Sequence, residues 1–267
     1  MTTHATFTYV MTYVRIVFIM VLSMLFVFVI PFLGLEARDV LLENVVHMGI
    51  LYAIIVGFLM SIAIQRKQTL DHDISLELNK IRRMYHLGLH LAREESRLEP
   101  WFTELKEHLH AYLGMFREVS FQVYERGSDL FRSVTYTVYR LPADHTPYNR
   151  ELYLSLLDAT ATVTEAREDI RSKKDQTIGY FQWLVILVVT LTFSWLITSA
   201  VPPSPNARIV AAIIVFNLFL VLDLLYEYDR FNDKKLRYIA DKYATNLDHL
   251  EELRPSSRAQ GKKKGGR

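Results

Sequence analysis

Residues 45–64 contain no Asp, Glu, Lys or Arg, and they run without a helix breaker into Gln65-Arg66-Lys67 and a charged pattern. As a helix, about 20 residues cover about 30 Å, the thickness of bilayer hydrocarbon. The stretch therefore predicts a membrane span that continues as a rod into water. Inside it, Gly49, Ala53, Gly57 and Ser61 recur at every fourth position. Such positions share one helix face. A stripe of small residues suits a close helix contact, with the third span as the expected neighbour, or equally the wall of a pore.

Three more apolar stretches flank a long polar middle. Residues 16–35 follow Arg15 and carry no charge. They exceed a signal-peptide core and precede no clean small-x-small site, so a retained first span is expected. The third and fourth spans are expected over about 178–201 and 209–226. The links at 36–44 and 202–206 are too short to hold a domain. The predicted fold class is all-α: an integral membrane protein with four transmembrane helices as two hairpins and a helical cytoplasmic domain between them. The expected parts are 1–64, the first hairpin; 65–177, the helical domain; 178–226, the second hairpin; and 227–267, an amphipathic segment with a basic disordered tail. A chain that is 51% hydrophobic yet 22% charged fits this division. No cysteine is present, which excludes disulfides, thiolate metal sites and thiol nucleophiles. A net charge of +2 gives no reason to expect a nucleic-acid partner.

In the middle segment, Leu70, Ile74, Leu78, Ile81 and Tyr85 recur at helical spacing, as do Trp101, Leu105, Leu109, Leu113 and Phe116. Pro100 fits the first turn of that second helix. Leu152, Leu156, Ala159 and Val163 mark another helical face, and Leu236, Ile239, Tyr243 and Leu247 a last one. Residues 133–140 alternate as a strand would but have no partner strand, so helix is expected there. Arg66 and Lys67 follow span two; Arg171, Lys173 and Lys174 precede span three; Arg230, Lys234 and Lys235 follow span four. The two hairpin turns carry only Arg38 and Arg208. The positive-inside rule then puts both termini and the middle segment in the cytoplasm of a multi-pass inner (plasma) membrane protein.

Motifs for chemistry are absent. There is no phosphate loop, dinucleotide fingerprint or nucleophile elbow. His86 and His90 share a helix face without an HExxH context, and the expectation is that they pack or meet solvent. Asp71-His72-Asp73 reads as a solvated helix face. No enzyme, cofactor or bound metal is expected. Within the spans, Thr190, Ser194 and Thr198 form a hydroxyl stripe, read as bonded to helix carbonyls or, alternatively, as a weakly polar pore wall. Asn217 is expected as a buried amide bonded across helices. Asp223 is expected near the interface, solvated or paired with Arg230.

Three stretches carry a resemblance. GILYAIIVGFLMSIAIQR, DHDISLELNKIRRMYHLGLHL, and WLVILVVTLTFSWLI followed by LFLVLDLLYEYDRF resemble successive parts of the bacterial bestrophin-like family. Asp229-Arg230-Phe231 resembles that family's Asp-Arg-Pro-Phe element, here without its proline. The resemblance implies kinship with pentameric anion channels, whose pore runs between subunits along one helix from each. It therefore implies a homo-oligomer in the lipid bilayer that passes small ions, with span two lining the path and its small residues facing that path or packing behind it; the orientation read above then puts Arg66 and Lys67 at the cytoplasmic exit as a collar that favours anions. The rival reading is a membrane scaffold or signalling protein whose helical domain docks a partner. Lys262-Lys263-Lys264 in its tail would then contact anionic lipid.

Overall fold

A computed structural model describes residues 2–32, 34, 42–118, 121–141, 147–202, 204–230 and 233–252. The described residues hold eight α-helices and two short 3-10 turns, with no strand among them. The basic tail, most of the first link and the Leu141–Tyr148 region expected as loop lie largely outside them.

The chain divides into two compact units. The first comprises Met1–Lys67 and Thr177–Arg230, the second Gln68–Gln176 and Phe231–Arg267. Among the described residues, four helices are long and apolar enough to cross a membrane: Tyr13–Pro31, the apolar part of Glu43–Glu94, Tyr180–Ala200 and Pro205–Asp229.

In the first unit, α1 (Thr2–Phe32) begins well before the expected span, and Gly34 follows it at φ +66°, a left-handed position that costs glycine nothing. α2 is a single helix, Leu42–Glu94, so no break separates the apolar run from the charged one. α6 (Tyr180–Ala200) starts where the Gln182 side chain accepts from Gly179 N–H at 2.7 Å. α7 (Pro205–Asp229) starts on Ser204, whose hydroxyl accepts from Ala207 N–H, with Pro205 in the first turn. Helix α1 packs on α7 and α6, and α6 on α7. Their core gathers Val27, Tyr52, Val56, Leu59, Ala63, Phe193, Ile197, Val215 and Leu218.

In the second unit, α3 (Glu99–Glu118) packs on α4 (Gly127–Tyr139) and α8 (Asp233–Glu252), and α4 packs on α5 (Pro147–Lys174). The 133–139 segment is helical, inside α4. The apolar positions read from helical spacing are the buried ones: Ile74, Ile81, Leu105, Leu109, Leu113, Leu156, Ala159, Val163 and Tyr243 are all at 0% exposure. Trp101 also ties α3 to α4, its indole N–H donating to the Thr137 carbonyl at 2.7 Å.

Candidate functional site

The membrane stretch of α2 has two unlike faces. Tyr52, Val56, Leu59 and Ala63 are buried in the unit's core. The Tyr52 hydroxyl donates to the Leu218 carbonyl at 3.1 Å, and its ring lies 5.6 Å from Phe193. The opposite face carries Ile50, Ala53, Ile54, Gly57, Phe58 and Ser61, all exposed. The small-residue stripe therefore splits. Gly49 touches span three, since a Cβ there would lie 3.1 Å from the Phe193 ring, whereas Gly57 has nothing within 4 Å of a Cβ. Gly57→Ala is accordingly expected to stabilise the helix by about 0.5–1 kcal/mol. Gly49→Ala gains less, because Phe193 must shift. Thermal melts of both variants in one detergent would test that order.

The expected collar is revised. Arg66 does not stand free at the helix exit. Its Nη2 pairs with Asp229 Oδ1 at 2.6 Å, and both side chains are largely buried. The same carboxylate accepts from Ile178 N–H at 2.6 Å and from the Trp183 indole at 3.0 Å. Asp229 thus joins the entry of α6, the end of α7 and the exit of the α2 span. Lys67, one residue on, is exposed and lies 5.4 Å from the Tyr228 ring centre.

The other intramembrane polar residues also find definite places. Thr190, Ser194 and Thr198 are buried inside the unit. The Thr190 and Thr198 hydroxyls donate to the Ile186 and Ser194 carbonyls, four residues back. A pore wall needs hydroxyls that face out, and these do not. Asp223 pairs with Arg15 of α1, not with Arg230, and Arg15 also donates to the Asp223 carbonyl at 3.2 Å. Arg230 lies over the Tyr226 ring instead. Asn217 is exposed rather than buried, because α7 buries the stripe Ala211, Ala212, Val215 and Leu218 and turns residue 217 away from it.

A second polar knot lies in the other unit. Glu77 of α2 is at 0% exposure and accepts from the hydroxyls of Tyr112, Tyr124 (2.8 Å) and Tyr243 (2.6 Å). Arg167 of α5 lies 3.6 Å from it and donates to the Tyr112 and Ser128 oxygens. The guanidinium also faces the rings of Tyr112, Tyr124 and Phe131 at 4.8–5.0 Å. Burial pushes the Glu77 carboxyl above its ordinary range, against the lowering pull of Arg167 and of the three hydroxyls. Burial and the neighbouring Glu77 charge likewise push all three phenols well up. They stay protonated and serve as donors.

Nothing in the expected chemistry pointed to Glu77, although a signal existed. It sits three residues after Ile74 and four before Ile81, on the apolar stripe itself, where a carboxylate requires partners. The Asp71-His72-Asp73 cluster is likewise less solvated than expected. Asp73 is 6% exposed and pairs with Lys173 at 2.8 Å, while Asp71 pairs with Lys242 at 2.5 Å. His86 is half-buried and His90 exposed. Among the described residues, no group of three His, Asp or Glu is placed to hold a metal ion.

Comparison with known proteins agrees with this architecture. A family model, the Bestrophin-like domain, matches residues 17–230. Among solved structures, a point mutant of a bacterial bestrophin homologue from Klebsiella pneumoniae superposes with a TM-score of 0.67 at 15% identity, over 89% of this chain and 99% of that one. A second structure, described only as a membrane protein, gives 0.65 at 14% identity over 88% and 98%. Identities this low establish a shared fold. No curated protein matches the chain.

Proposed function

The chain belongs to the Bestrophin-like domain family, and from that premise we propose that it is a multi-pass inner-membrane protein, with both termini cytoplasmic and its spans paired as two hairpins, that assembles as a homo-oligomer and passes small ions, anions in particular. The observation that carries this reading is the outward face of α2. Ile50, Ile54 and Phe58 are 55%, 64% and 66% exposed, and Ala53, Gly57 and Ser61 lie between them. Brought together around an axis, such faces give a narrow apolar wall with thin places, which gates by dewetting and not by charge. Asn217 supports assembly. An amide turned to lipid would have no hydrogen-bond partner, a costly state that a neighbouring copy relieves.

Anion preference rests on Lys67, because the charge of Arg66 is balanced by Asp229. Planar-bilayer recording of the purified protein tests the whole reading. Unitary currents whose reversal potential follows the chloride gradient are expected. Silence in every salt, together with a monomeric mass in lipid nanodiscs, overturns it. Lys67→Glu is expected to move the reversal potential toward that of the cation while leaving stability within about 0.5 kcal/mol of wild type, as for other exposed sites.

A further inference from the structure

Two cations converge on one aromatic ring at an end of the first unit's apolar helices. Arg15 stands at the start of the apolar stretch Tyr13–Pro31 in α1, and Arg230 directly follows Pro205–Asp229 of α7. α1 and α7 pack together. The Arg15 guanidinium lies 5.7 Å from the centre of the Tyr226 ring and that of Arg230 4.9 Å from it. Tyr226 is itself exposed. One carboxylate answers the two charges. Asp223 takes the Nε edge of Arg15, and its carbonyl accepts from Arg15 Nη2 at 3.2 Å. The Arg15 side chain is still 38% exposed, with Nη1 outside that pairing. Arg230 has no ion pair among the described residues; its backbone N–H bonds to the Tyr226 carbonyl and its side chain meets the ring.

Like charges this close repel, and at the edge of hydrocarbon water screens them less than in bulk. An anion beside Tyr226 offsets the excess. The surroundings select its kind. Phe18, Leu22 and Leu25 follow Arg15 at helical spacing on the same face of α1, and all three are exposed. Tyr180 and Phe181, at the start of α6, are exposed as well, as in the aromatic belts of membrane interfaces. A free anion would leave this apolar track uncovered. An anion that carries acyl chains covers it.

We propose that Arg15, Tyr226 and Arg230 hold the phosphate of an anionic membrane phospholipid, with an acyl chain along Phe18, Leu22 and Leu25. The planar guanidinium fork suits phosphate oxygens, and the Tyr226 ring holds both forks beside the headgroup. The proposal rests on the membrane location of these helices and not on ion passage.

The test is native mass spectrometry of the full-length protein in detergent, offered equal amounts of phosphatidylglycerol and phosphatidylcholine with the same acyl chains. Retention of phosphatidylglycerol over phosphatidylcholine by about fivefold or more is expected, the worth of one cation at a membrane surface. Arg230→Gln should remove that preference and leave the melting temperature unchanged, because the side chain holds no carboxylate. Arg15→Gln combined with Asp223→Asn should also remove it, without leaving a carboxylate unpaired. Arg117→Gln, an exposed arginine of the other unit, should keep it. Equal retention of the two lipids overturns the proposal, as does a preference that survives both the Arg230 and the Arg15 variants. Displacement of phosphatidylglycerol by millimolar inorganic phosphate overturns the lipid in favour of a free anion. Lipid retention is read without current, so failure of this site and failure of the channel reading are told apart.

Discussion

Arg167→Met is expected to lower the opening free energy of the second unit by about 3–4 kcal/mol at neutral pH. Among the described residues, the guanidinium is the one cation beside Glu77, whose carboxyl is fully buried among three phenols. Removing one member of a buried charge pair typically costs about 3–5 kcal/mol. Protonation sets the upper end. Glu77 escapes an unpaired charge by taking up a proton, and because burial already holds its carboxyl above the ordinary range, that uptake limits the cost.

The pH dependence has a definite sign. Burial raises the folded-state pKa of Glu77 above its unfolded value, so the folded protein binds that proton more tightly. The contribution is full below the unfolded pKa and is lost as pH rises through the folded one. Arg167→Met should raise the folded-state pKa further and extend this loss to higher pH, and Glu77→Gln should abolish it, although its single amide oxygen can accept from only two of the three hydroxyls. Amide hydrogen exchange along α3, α5 and α8, measured over a pH series, checks both slopes. A flat response in Arg167→Met would mean that the carboxyl is not the titrating group.

Asp229→Ala is expected to be comparably damaging to the first unit, at about 3–5 kcal/mol. It strands the Arg66 guanidinium, the Ile178 amide and the Trp183 indole at once, all of which converge on one carboxylate. Asp229→Asn keeps the shape but only one acceptor oxygen, so it should fall between alanine and wild type. The exposed pair Arg117 and Asp248, 45% and 58% exposed, provides the contrast. Asp248→Ala should cost no more than about 1 kcal/mol. Thermal melts of the three variants in one detergent, read beside the yield of folded protein from membranes, rank them. Equal melting temperatures for Asp229→Ala and Asp248→Ala would remove the structural role given to Asp229.

Asp229 also shows why one sequence-based expectation needed revision. Arg66-Lys67 at the end of an apolar run reads as two free cations, because no anion is near in sequence. The partner of Arg66 lies 163 positions away. The same distance hides Arg15 from Asp223, 208 positions apart. Asn217 failed differently. An amide in an apolar run was expected to turn inward, yet the buried stripe of α7 is made of the apolar residues Ala211, Ala212, Val215 and Leu218, whose helical spacing passes residue 217 by.

The sequence by itself determined where the helices run, which faces of them are apolar, and that the long membrane helix does not stop at Arg66. Those properties are local. They depend on residues three and four apart, and Ile74, Leu105, Val163 and Tyr243 are buried where their spacing put them. It also determined that residues 49, 53, 57 and 61 share one side of α2, but not what that side meets. Only the tertiary structure decided that Gly49 rests on Phe193 while Gly57 and Phe58 face outward. Only it decided that Glu77, Tyr112, Tyr124, Arg167 and Tyr243 form one knot. Hydrogen bonds and ion pairs act between side chains that the fold has brought together from distant positions, and no periodicity along the chain records which of them will meet.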